Sequence, residues 1–153
     1  MSDSQQIAVK QLVGALREGF DGPNEEFGYF LDTDGGLRPT LAKLSADQAS
    51  RDVGGNSVAA HAHHILFSLN AFSKVISGDK SPNDWNESWT VKSVDDGSWS
   101  RLQQDLGSGY EKLRGAIEGH AAKGAEPLGA AVGAITHLAY HVGAIRQKVV
   151  VLQ

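Results

Sequence analysis

Two histidines, His137 and His141, stand four residues apart near the C-terminus. On a helix this spacing stacks two side chains on one face, one above the other. Two imidazoles so placed can converge on one metal ion from a single rigid element. The chain has only six histidines, and three of the others cluster in His61-Ala62-His63-His64. That cluster offers a third ligand from a facing element. Three protein ligands with an open position mark a reactive metal site, whereas a structural zinc site is normally closed by four. The sequence has no Ser-His-Asp order, no glycine-rich phosphate loop and no HExxH glutamate.

Helices must position these histidines. In the last one, at 3.6 residues per turn, the apolar stripe runs through Ala134, Leu138, Val142, Ile145 and Val149, with His137 and His141 at its edge. The site is therefore expected beside the core, not at its centre. The 61–64 cluster falls in a helix whose stripe is Val58, Ala62, Ile65, Leu69, Phe72 and Ile76, with Asn56 or Ser57 as cap. Two further helices follow from periodicity. The first covers residues 4 to about 20 through Val9, Val13, Leu16 and Phe20. The third main helix runs through Trp99, Leu102, Leu106, Tyr110, Leu113 and Ile117, with Ser98 as cap and His120 as a solvated end. Pro127 suits the first position of the last helix. Residues 40–49 are expected to form a short helix, and 52–56 a loop. The segment 80–89 reads as a crossover whose Trp85 and Trp89 cover core surface or line a substrate entrance. Strand signals are weak. The fold class expected is all-α, a four-helix bundle with a long crossover connection, in one domain spanning 1–153.

Composition narrows the function. A chain of 153 residues suits one domain and can bury about 68–70% of its unfolded surface. Without cysteine, thiolate ligands, disulfides and a Cys nucleophile are excluded. The net charge of −4, with scattered basic residues, argues against nucleic-acid binding. No run of apolar residues approaches the roughly 20 of a membrane span, and the N-terminus lacks the features of a secretory signal. The expected location is cytoplasmic, with no membrane partner.

The segment His137-x-x-Tyr140-His141-x-Gly143-x-Ile145-Arg146-Gln147 resembles the last-helix motif of the DinB/YfiT-like proteins. Ser57 seven positions before His64, and Asp84-Trp85-x-x-Ser88-Trp89, also resemble that family. The resemblance covers most of the chain and is most specific at the last helix. It implies a four-helix bundle, one divalent metal held by His64, His137 and His141, and a homodimer. Position 61 departs from the family pattern, where it is usually apolar. By helical angle His61 lies nearer the apolar stripe than His64, so the residues themselves leave two arrangements open. One is a triad through His64 with His61 beside it; the other is a four-histidine site. His63 points away from both and is expected to be exposed.

Three neutral imidazoles leave a 2+ ion uncompensated, able to lower the pKa of a bound water or thiol. Zinc or nickel are the first candidates, with iron also compatible with imidazole. The resemblance implies a thiol-dependent transferase or isomerase taking a small-molecule substrate and a low-molecular-weight thiol. The alternatives are a metal-dependent hydrolase and a non-catalytic, stress-associated metal-binding protein. Tyr140, Arg146 and His61 are the candidate catalytic residues. Tyr140 is expected to donate a hydrogen bond near a ligand or simply to pack, and Arg146 to pair with an acid or bind an anionic group.

Overall fold

The computed structural model describes residues 1–153, and the chain is all-helical with no strand. Six α-helices follow in order: α1 (Asp3–Asp21), α2 (Leu37–Ala42), α3 (Ala46–Ser50), α4 (Val58–Ile76), α5 (Asp96–His120) and α6 (Ala125–Leu152). Two 3₁₀ turns, Trp85–Trp89 and Ala121–Lys123, lie between them. The long helices share one core. α4 packs on α5 and α6, and α1 closes the other side of the same two helices.

The periodic stripes explain this packing. All six stripe residues of α5 are buried, as are Ala134, Leu138, Val142, Ile145 and Val149 of α6. In α4, Val58, Ala62, Ile65, Leu69 and Ile76 are buried, while Phe72 is half-buried beside them. Ser57 caps α4, its Oγ accepting from the Ala60 N–H at 3.0 Å. Gly78, at φ +84°, follows the end of α4 in a conformation that a side chain would disfavour.

Local capping departs from the sequence reading in three places. α5 begins earlier than Ser98, because Asp95 caps it and accepts from the Ser98 N–H at 2.7 Å. Pro127 is the third residue of α6, not the first. The ring is tolerated there because the first four N–H groups of a helix have no intrahelical acceptor. The expected helix over 40–49 is two helices, α2 and α3, broken at residues 43–45, where Ser45 caps α3. Leu41 and Leu44 still point inward, and the indole of Trp99 donates to the Leu44 carbonyl at 3.0 Å.

Two features of the fold were not expected. Glu18 of α1 is fully buried. Its carboxylate accepts the backbone N–H groups of Tyr29, Phe30 and Leu31 at 2.7–2.9 Å and so ties the 23–36 segment to α1. Charge-assisted bonds of this kind are stronger than neutral ones. Second, α6 is long and apolar enough, by length and composition, to cross a membrane, although only a third of its most apolar window is buried in this fold. No uninterrupted apolar run marks this helix in the sequence, because glycine, histidine and threonine interrupt its apolar residues without adding charge.

Candidate metal centre

α4 and α6 bring their histidines face to face. His64, His137 and His141 each offer a ring nitrogen within 4.8 Å of the other two, so the three lie close enough together to bind one metal ion. The ring centroids of each pair are 4.5–4.9 Å apart. His64 and His141 are buried, while His137 is half-buried and forms the more open side. No carboxylate belongs to the group.

The segment between α4 and α5 completes the site. Just after its 3₁₀ turn it is tied to the start of α4 and to the end of α3. The Ser57 hydroxyl donates to the Lys92 carbonyl at 2.6 Å, and the Val94 N–H donates to Ser50 Oγ at 2.9 Å. Within the turn, fully buried Ser88 sits at the centre. Its hydroxyl donates to the Trp85 carbonyl at 2.6 Å and lies 2.8 Å from His64 Nδ1. With that proton committed, Ser88 Oγ accepts from His64 Nδ1–H, and the lone pair of His64 is left on Nε2. His64 Nε2 faces His137 Nε2 at 3.0 Å. Two nitrogens at that separation subtend about 90° at an ion about 2.1 Å from each, the usual metal–imidazole distance.

Burial sets the protonation of the cluster. It pushes His64 down to about 4, with the neighbouring histidines adding to the effect, and His141 down to about 3 for the same reasons. His61 falls to about 4 through burial, assisted by the Lys148 charge, and His137 is lowered by burial. All four are neutral at pH 7, the state that can ligate a metal. His137 Nδ1 is buried with no hydrogen-bond partner. The donor set therefore fits a divalent ion in charge state and spacing, and the His64 tautomer leaves its Nε2 free to ligate.

The remaining sequence candidates divide. His61 is buried, with Nδ1 3.0 Å from His141 Nδ1, but it is not one of the three convergent residues. His63 is half-buried, not exposed, because the α4–α5 connection folds over it and the Ser88 carbonyl accepts from its Nδ1–H at 3.0 Å. Tyr140 is 73% exposed, its ring edge-on to His141 at 5.0 Å. Arg146 pairs with Asp32 at 3.4 Å and is not one of the three convergent residues. His120 ends α5, 3.3 Å from Lys123 Nζ, and is not part of the cluster.

The two tryptophans of the α4–α5 connection lie against the histidines. Trp89 stacks on His64 at 4.1 Å with 15° between planes. Trp85 lies 6.0–6.2 Å from His64, His137 and Phe72. Sequence reasoning gave Ser88 no role beyond its place in the Asp84-Trp85-x-x-Ser88-Trp89 pattern, and nothing local says that its hydroxyl meets a helix 24 residues away. A separate cleft of about 500 Å³ lies between α1, residues 24–27 and α5 and contains none of the histidines. In comparison with known proteins, no family model, curated protein or solved structure matches the chain.

Proposed function

We propose that this protein is a metal-dependent enzyme of DinB/YfiT-like type, a four-helix bundle with a long crossover, holding one divalent ion through His64, His137 and His141. The observation that carries this reading is the convergence of three neutral imidazoles from two helices with no acidic residue among them. Zinc or nickel is the expected ion, with iron also suited to imidazole. The packing of α4 on α5 and α6, with α1 opposite, supports the bundle.

When bound, such an ion keeps its full charge and lowers the pKa of a thiol or water brought to it. The chain's own residues prepare the place. Burial keeps the imidazoles unprotonated. Ser88 holds His64 in the tautomer with a free Nε2. Trp89 covers one face of His64 and keeps water from it, while half-buried His137 marks the side from which a small molecule arrives. The protein has no cysteine, and the cluster has no carboxylate to serve as general base. The reaction is therefore read as a thiol-dependent transfer or isomerisation, in which a low-molecular-weight thiol is the nucleophile. Homodimerisation belongs to the same reading and is supported by Leu128, Val132, Tyr140, Val150 and Val151, which α6 leaves exposed.

The test is a panel of electrophilic substrates assayed with metal-loaded and chelated protein, with and without added thiols. Turnover that needs both metal and thiol is expected. Metal-dependent turnover indifferent to thiol would replace this reading with a hydrolase. Bound metal with no turnover would replace it with a non-catalytic metal-binding protein.

A further inference from the structure

We propose that His61 is a positioning residue that fixes the tautomer of His141, a role that rests on the metal-centre reading above. The two Nδ1 atoms are 3.0 Å apart, and both rings are buried, His61 to 8% and His141 to 5% exposure. Between neutral imidazoles, a contact of this kind has one donor and one acceptor. If His61 donated, the proton of His141 would sit on Nε2 and neither of its nitrogens would be free to ligate. If His61 accepts, His141 carries its proton on Nδ1 and presents Nε2 as a lone pair. Ligating histidines characteristically donate their second N–H to a fixed acceptor, which orients the ring and raises its basicity.

The surroundings favour His61 as that acceptor. Trp89 meets the His61 ring edge-on at 5.2 Å and 88°, which restrains its rotation. His64 is held by the same logic through a different residue, with Ser88 Oγ accepting from its Nδ1 side. Two of the three convergent histidines thus have Nδ1 engaged by the protein and Nε2 released. His61 stands on α4 one turn before His64, so one helix supplies a ligand and also the acceptor that orients a ligand on α6. His61 then carries its own proton on Nε2.

The experiment uses the full chain labelled with ¹⁵N-histidine, metal-free, at pH 7.5. Long-range ¹H–¹⁵N spectra are expected to show His141 protonated at Nδ1 and His61 at Nε2. Zinc affinity, read by competition with a chelator, is expected to fall about 10–100-fold in His61→Phe. His61→Asn places an amide oxygen where Nδ1 stood, and it is expected to recover most of the affinity and the His141 Nδ1–H signal. A wild-type His141 protonated at Nε2 overturns the proposal, whether or not zinc binds. So does His61→Phe with unchanged zinc affinity. Wild-type protein that takes up no zinc but shows His141 Nδ1–H removes the metal reading alone and leaves the hydrogen bond to His61 standing.

Discussion

Replacing Ser88 with alanine isolates the contribution of the α4–α5 connection to the candidate metal centre. Ser88 is fully buried, and its hydroxyl links His64 Nδ1 to the Trp85 carbonyl through contacts of 2.8 and 2.6 Å. Alanine removes both while changing the volume by little more than one oxygen. His64 Nδ1–H then has no protein acceptor, and the ring is free to exchange tautomers or turn against Trp89. Loss of such an orienting partner costs about 10–100-fold in metal affinity, or about 1.4–2.7 kcal/mol. A buried donor left unsatisfied costs the metal-free fold about 1–3 kcal/mol as well. Chelator competition reads the first quantity and urea unfolding of the metal-free protein the second. Zinc affinity within twofold of wild type in a folded Ser88→Ala would refute the claim that Ser88 orients His64.

The metal-free protein is expected to lose stability on mild acidification. His61, His64 and His141 have folded pKa values lowered from 6.5 to about 4, 4 and 3, so the unfolded chain takes up protons first as pH falls. Their contribution is complete above pH 6.5 and is lost towards pH 3–4; by pH 5 each group accounts for at most about 2 kcal/mol, which solvent screening reduces. Unfolding curves that coincide at pH 7 and pH 5 would contradict it. Gly36→Ala should destabilise by about 1–3 kcal/mol, the usual cost of overpacking. A Cβ there would sit 2.3 Å from the Gly22 backbone nitrogen, which has little room to yield, and urea midpoints check the effect. Glu18→Ala should cost about 2–4 kcal/mol and speed amide exchange at Tyr29, Phe30 and Leu31, because three buried N–H groups lose a charged acceptor. Exchange unchanged at those three amides would exclude the clasp.

What the sequence made legible was periodic. The α5 stripe from Trp99 to Ile117 and the one-face placement of His137 and His141 follow from 3.6-residue spacing and are present, and of the two cap candidates, Asn56 and Ser57, it is Ser57 that caps α4. What it hid depends on non-local contact. Glu18 lies off the apolar stripe of α1 and is buried only because residues 23–36 fold over it. His63 was expected in solvent, and the α4–α5 connection covers it. Ser88 belongs to no periodic pattern, yet it meets His64 because Ser50 and Ser57 anchor the segment that follows it. Helical angle placed His61 nearer the core than His64. Both are in fact buried, and the facing helix separates them: His64 meets His137, while His61 meets His141 from the side.

The central claim is that His64, His137 and His141 hold one divalent ion. Its most direct test is elemental analysis of untagged protein, wild type beside His141→Ala, with helix content followed by circular dichroism. One equivalent of metal in the wild type is expected, falling to a small fraction in His141→Ala with helicity nearly unchanged, because the apolar stripes do not depend on that imidazole. Full metal occupancy in His141→Ala, or wild-type protein that takes up no zinc, nickel or iron when these are supplied, would contradict the account.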